Sequence, residues 1–198
     1  MKNENSRKIA FGGLMAALCF VGYMFFPAIS ASGTKVHIGN AFVVLGALLL
    51  GGAYGGLAGA IGLSLADILS GYAASSPRTF ITKLVIGLIV GLFAHKIASV
   101  SEKHETKYYL KWSVISAVAA LVFNCIFEPA LKWVWYTLLT PNAEKAGKAI
   151  EAMMAITTYA TIINAVINSV IAVVLYMALR PVLMKAGLLP KINSKKEE

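Results

Sequence analysis

The chain has 198 residues, 58% of them hydrophobic and 14% charged, with a net charge of +9. A soluble domain carries about a quarter of its residues as charges, and several apolar runs here approach the roughly 20 residues that cross a bilayer as a helix, so an ordinary soluble domain is excluded. The basic excess lies mostly at the ends of those runs, which cytoplasmic loops explain without nucleic acid.

Backbone groups in lipid are satisfied internally, so spans are helices or a closed barrel. The runs are long and lack period-two alternation, which leaves helices. The fold class expected is an all-α integral membrane protein with six transmembrane helices, forming one domain over 1–198 with short flexible tails at 1–8 and 190–198.

The first helix is expected from Ile9 to Phe26, ending at Pro27. Lys2, Arg7 and Lys8 before it give the start the look of a signal peptide, but an apolar run of 18 residues exceeds the usual 7–15 and favours a retained helix. Gly12 with Ala16, and Gly13 with Ala17, put small residues four apart, which lets a second backbone approach closely. That backbone could belong to this chain or to a partner subunit.

Pro27 to Lys35 reads as a loop of small and polar residues. Helix 2 follows from His37 to Leu50, and Gly51-Gly52 turns it directly into helix 3, Ala53 to Tyr72. Helix 3 carries a small-residue stripe (Gly55, Gly59, Gly62, Ala66) beside a polar one (Ser64, Asp67, Gly71). Helix 4 is expected from Arg78 to Ala98, with Pro77 suited to its first turn and Thr79, Lys83, Gly87 and Gly91 on one face.

The segment Ser99 to Lys111 carries charges of both signs and reads as a water-facing loop. Tyr108, Tyr109 and Trp112 mark a membrane interface, and His95 and His104 fall on that side as solvated residues. Helix 5 is expected from Lys111 to Leu139, bent at Pro129, with Asn124, Glu128 and Lys132 four apart. Trp133, Trp135 and Tyr136 mark the opposite interface. A polar loop follows, with room for a short helix at Ala143 to Ala152. Helix 6 runs from Met154 to Leu183 and bears Thr157, Thr161, Asn164 and Asn168 as a stripe.

With the N-terminus inside, Lys2, Arg7, Lys8, Lys96, Lys103, Lys107, Lys111, Arg180, Lys185, Lys191, Lys195 and Lys196 share one side, against Lys35, Arg78, Lys145 and Lys148 on the other. That bias places both termini in the cytoplasm. Cys19 and Cys125 lie inside spans and read as small packing residues rather than a disulfide.

Asp67 lies five residues before Tyr72, and Lys83 five after Arg78, so both fall about 7–8 Å below their helix ends on antiparallel neighbours. An ion pair between them is expected, either structural or facing a ligand, since charges within a span normally face a bundle interior or a cavity. Glu128 and Asn124 reach the same level, as do Thr157 and Thr161, while Asn164 and Asn168 lie deeper and could equally be interhelical hydrogen-bond glue. Glu128 could instead pair with Lys132 one turn away. His37 and Asn40 stand at the outer face. The candidate ligand-binding set is therefore His37, Asn40, Asp67, Thr79, Lys83, Asn124, Glu128, Thr161, Asn164 and Asn168, converging on one outward-opening pocket.

Catalytic signatures are lacking. Gly147-Lys148 is followed by Ala149, so no P-loop is formed, and no H-E-x-x-H, G-x-S-x-G or cysteine–histidine metal cluster occurs. No metal or cofactor is implied. A membrane enzyme using Asp67 or Glu128 as acid or base would want a nucleophile. A small autonomous channel or secondary transporter, with Asp67 and Glu128 as cation sites, would drive uptake alone and without ATP. Six helices without an inverted repeat point instead to a binding subunit energised by others.

The runs His37-Ile38-Gly39-Asn40-Ala41-Phe42, Leu48 to Gly59 and Ala66 to Tyr72 resemble the substrate-binding S component of energy-coupling factor (ECF) transporters, nearest the hydroxymethylpyrimidine, pyridoxine and riboflavin branch. The resemblance covers residues 7–98; the C-terminal third fits by helix count and topology. It implies a six-helix protein of the bacterial cell membrane, not an enzyme, that binds a vitamin or precursor from outside with high affinity, pyridoxine or hydroxymethylpyrimidine foremost. It further implies docking onto a transmembrane coupling subunit driven by two ATPases. The docking positions correspond to Gly12, Gly13, Ala16 and Ala17, where glycine stands in place of the family's more usual alanine, and the loop Pro27 to Val36 would cover the ligand.

Overall fold

The computed structural model describes residues 2–25, 30–31, 34–139, 147–189 and 192. They form six helices: α1 Lys2–Met24, α2 Gly39–Leu50, α3 Gly52–Leu69, α4 Ser76–Gly91, α5 Thr106–Leu139 and α6 Gly147–Lys185. A two-residue antiparallel bridge, β1 Ser30–Ala31 with β2 Thr34–Lys35, lies between α1 and α2.

The helices are longer than their apolar runs. α1 begins at Lys2 rather than Ile9, so its polar N-terminal segment is helical. α6 begins at Gly147, which merges most of the expected short helix into it; Ala143 to Glu144 and on to 146 lie outside the described residues, as does nearly all of 190–198. α5 runs unbroken through Pro129. α4 is shorter than expected as a regular helix. It passes at Leu92–Ile97 into a turn of π-helix, where each bond closes one residue later than in an α-helix.

Five helices are long and apolar enough to span a membrane, and α2 is the exception at 12 residues. A helix of that length rises about 18 Å, short of the roughly 30 Å hydrocarbon thickness. It packs against α1, α3, α4 and α6, and every residue of it except Phe42 is buried. α2 is the core of the bundle.

The outer surface is apolar and the interior partly polar. Val118, Val122 and Ile126 on α5, and Ile162, Val166, Val170 and Val174 on α6, recur every four residues, each 40% exposed or more. Asn124, Lys132, Thr157, Thr161, Asn164 and Asn168 on the same two helices are at most 5% exposed. Water would reverse that distribution; a lipid surround selects it.

Glycine brings the first four helices into backbone contact. On α3, Gly52 and Gly56 meet Gly87 and Gly91 of α4, and a methyl group on either α4 glycine would overlap the α3 backbone. The opposite side of α3 presents Gly55 and Gly59 to Gly46, Ala47 and Val43 of α2, and Gly62 to the Ala16 carbonyl of α1. The expected stripe of Gly55, Gly59, Gly62 and Ala66 thus packs as read, and a second glycine face binds α4. Gly51 turns α2 into α3 with φ +90°, a conformation open to glycine and costly for other residues.

Candidate functional site

Because α2 is half-length, its N-terminus ends inside the bundle, against the middle of α6. Two asparagines hold it there. Asn168 Oδ1 accepts the Ala41 N–H at 2.8 Å, and its Nδ2 donates to the His37 carbonyl at 2.9 Å and the Asn164 carbonyl at 2.7 Å. Asn164 Oδ1 accepts the His37 N–H at 2.9 Å while its Nδ2 donates to the Lys35 carbonyl at 2.9 Å. The incoming strand β2 is thereby fixed to α6. The His37 ring caps α2 in turn: Nδ1 accepts the Gly39 N–H at 3.0 Å, which places the neutral ring's proton on Nε2.

The space above the short helix is a cavity of about 50 Å³, lined by Tyr23, Lys35, His37, Asn40, Leu63, Asp67, Tyr72, Ser75, Arg78, Thr79, Lys83, Glu128 and Asn164. It holds a few waters' worth of space, walled by α1, α2, α3, α4, α5 and α6. Seven of the ten expected site residues line it: His37, Asn40, Asp67, Thr79, Lys83, Glu128 and Asn164.

Three do not. Asn124 donates to Glu128 Oε2 at 3.1 Å and supports the wall from behind. Thr161 donates to the Thr157 carbonyl one turn back at 2.7 Å. Asn168 is fully buried and spends its amide on the α2 N-terminus. Both asparagines of α6 are interhelical glue, and Asn164 also faces the cavity.

The ion pairing differs from expectation. Asp67 does not meet Lys83. Its carboxylate accepts Tyr23 Oη at 2.7 Å and Thr79 Oγ1 at 2.5 Å, two hydroxyls that satisfy it without a cation. Lys83 reaches across to α5 and pairs with Glu128 Oε2 at 3.5 Å. Glu128 accepts from Lys83 and Asn124, while Lys132 donates to Thr157 Oγ1 at 2.7 Å, so α5 is tied to both neighbours. Helix rotation decides this: both residues sit at the depth expected, but Lys83 turns toward α5.

Tyr23, Lys35, Tyr72 and Arg78, with Leu63 and Ser75, complete the lining, and none of them is in the expected site set. Lys35 Nζ stands 4.6 Å from the Tyr23 ring centroid and 5.4 Å from that of Tyr72, within cation–π range. The Tyr23 and His37 rings lie 4.9 Å apart at 59°. The available signal was positional, since Tyr23 and Arg78 lie near the same helix ends as Asp67 and Lys83. Arg78 reads in the sequence as an outer-side base, and Tyr23 belongs to no spaced polar set. The polar stripe of α3 is likewise divided: Ser64 and Ser76 exchange reciprocal hydroxyl-to-carbonyl bonds at 3.2 Å, while Asp67 faces the cavity.

At the far end of the bundle, His95 is buried rather than solvated, with Nε2 3.0 Å from the Ala47 carbonyl and Nδ1 2.9 Å from Ser101 Oγ. His104 stacks on Tyr108 with centroids 4.1 Å apart. Of the small-residue pairs on α1, Gly13 and Ala17 are exposed and Gly12 has open space around it, whereas Ala16 packs its carbonyl on Gly62 of α3. The described residues contain no group of three or more metal-ligating side chains.

A polar chamber lined by acids, bases and aromatics thus lies inside helices whose outer faces are apolar, as in a membrane protein with an internal cavity. A family model described as ECF-type riboflavin transporter, S component, matches residues 3–181. The chain belongs to that family, whose members are transporter components rather than enzymes. No curated protein and no solved structure matches it.

Proposed function

We propose that this chain is the substrate-binding subunit of an ECF-type importer and that the cavity above α2 captures a small vitamin or precursor from outside the bacterial cell membrane. The observation that carries the reading is the lining itself. Asp67 is held by Tyr23 and Thr79, the Lys83–Glu128 pair stands opposite, and Tyr23, His37 and Tyr72 supply ring faces. A heteroaromatic ring with hydroxyl or amide substituents matches such a set, because ring faces give contact area and the few convergent polar groups fix orientation.

Pyridoxine and hydroxymethylpyrimidine are the first ligands to test, on the resemblance of residues 7–98 to that branch of S components. Riboflavin is the second reading, favoured by the description of the matching family. With both termini cytoplasmic, the cavity opens outward. The exposed Gly13 and Ala17 face of α1 then meets the transmembrane coupling subunit, which is driven by two ATPases.

Thermal unfolding of the purified protein in detergent tests this, with pyridoxine, pyridoxal, pyridoxamine, hydroxymethylpyrimidine, thiamine, riboflavin and pantothenate as the panel. A ligand at 100 times its Kd stabilises the fold by about 2.7 kcal/mol. Asp67→Ala in a folded protein is expected to abolish saturable binding; unchanged affinity would remove Asp67 from the site. Uptake into liposomes by the lone protein without ATP would replace the binding-subunit reading with an autonomous transporter.

A further inference from the structure

Among the described residues, three buried side-chain polar atoms have no hydrogen-bond partner: Arg78 Nη1, Asn40 Oδ1 and Asn124 Oδ1. Two of the three residues, Arg78 and Asn40, line the cavity above α2. Arg78 is 7% exposed and Asn40 2%. Buried polar groups are almost always satisfied in a native fold, so an orphaned guanidinium N–H at a cavity wall calls for an acceptor that the chain does not provide.

The charges of the lining point the same way. Its cations are Lys35, Arg78 and Lys83, and its carboxylates Asp67 and Glu128, which leaves one positive charge in excess. Lys83 is paired with Glu128, and both Asp67 oxygens accept hydroxyls. No ion pair to Arg78 forms among the described residues. In a low-dielectric interior an unmatched charge is unfavourable, and a fixed guanidinium receives carboxylate or phosphate through parallel N–H bonds.

We infer that the ligand of this cavity carries an acid group, a carboxylate or a phosphate ester, which docks on Arg78 with a hydrogen-bond donor beside it for Asn40 Oδ1. The inference rests on the vitamin-binding reading and narrows it: the ligand's charge, more than its ring, is selected. Arg78 is then an affinity residue of the site, Lys35 reinforces it from the loop, and the neutral form of the same molecule leaves the excess charge unmatched.

Matched pairs of compounds test this on the purified protein by isothermal titration calorimetry: pyridoxine with 4-pyridoxate, pantothenol with pantothenate, riboflavin with its 5′-phosphate, and hydroxymethylpyrimidine with its phosphate. The anionic member of whichever pair binds is expected to bind at least about tenfold more tightly, the scale of one charge-assisted contact. Pairs one and two report a carboxylate, pairs three and four a phosphate. Arg78→Gln is expected to bring the ratio within a pair close to one, and Arg78→Lys to retain most of it.

A wild-type protein that binds the neutral member as tightly as the anionic one, or more so, overturns the inference and leaves the vitamin-binding reading standing. No binding by any member of any pair defeats both. The wild-type comparison decides the matter even where Arg78→Gln does not fold.

Discussion

Between α3 and α4 the backbones touch, through Gly52 and Gly56 on one helix and Gly87 and Gly91 on the other. Between α5 and α6 the named ties are made by side chains, the Lys132 to Thr157 hydrogen bond at 2.7 Å and Arg180 over the Tyr109 ring at 3.5 Å, and their outward valines and isoleucines stand free. Lipid offers no hydrophobic drive for helix association, and the two regions meet that difficulty differently. One uses close approach, which tolerates no added atom. The other uses polar groups that are costly to leave unpaired in hydrocarbon, which tolerates changes of shape but not loss of a partner. The cavity lies where both kinds of contact meet, with Asp67 and Thr79 from the first region and Glu128 and Asn164 from the second.

The sharpest way to break this contrast is to add volume to the glycine contact. Gly87→Leu is expected to destabilise the bundle by about 3 kcal/mol or more, read by thermal unfolding in detergent. Val166→Leu, on the exposed face of α6, should change little. Equal effects at the two positions would show that α3 and α4 are not held by backbone contact.

Loss of a polar tie comes next. Asn168→Ala leaves the Ala41 N–H and the His37 carbonyl without their side-chain partner, and is expected to cost about 1–3 kcal/mol. Amide hydrogen exchange at the start of α2 should accelerate more than at its end. Uniform protection along α2 would mean that Asn168 does not seat the helix.

A smaller effect follows from His37, whose Nδ1 accepts the Gly39 N–H at the start of α2. Removing that cap with His37→Ala is expected to cost about 0.5–2 kcal/mol, read by thermal unfolding in detergent; an unchanged midpoint would show that the ring does not seat α2.

The smallest effect on the bundle is expected on α1. Gly13→Leu with Ala17→Leu adds side chains to an exposed face and should leave thermal stability and ligand affinity unchanged, while preventing co-purification with the coupling subunit. Recovery of the intact complex with the doubly substituted protein would place the docking surface on another face.

Much of the fold was legible because small residues and apolar runs carry their meaning locally. The Gly51-Gly52 turn, the glycine stripe on α3 and the order of six helices all follow from spacing. Helix ends were less so: residues 2–8 are polar and 147–153 include Lys148 and Glu151, and hydropathy stops where a helix continues into the interface. The site was legible in depth but not in azimuth. Asp67, Lys83 and Glu128 were placed at one level by counting residues, yet which of them meet depends on rotations of a few tens of degrees that no single-helix pattern records. Asn124 and Thr161 fell outside the lining for the same reason, and Arg78 entered it because the first turn of α4 faces inward.

The π-turn at Leu92–Ile97 has a consequence for the face of α4. In an α-helix, residues four apart drift by about 40° per step, so a line through Thr79, Lys83, Gly87 and Gly91 winds from the cavity toward α3. A wider turn takes up that winding locally, and His95 comes to rest against the Ala47 carbonyl of α2 rather than being carried past it. The turn therefore acts as a phase corrector, keeping the cavity end and the far end of one helix in register with the same core. A π-turn holds one residue more than an α-helix of the same sweep, so removing a single residue between 92 and 97 would leave regular α-helix and keep the segment beyond Ala98 close to its present azimuth, whereas the same deletion in the regular part of α4 would swing everything after it by about 100°.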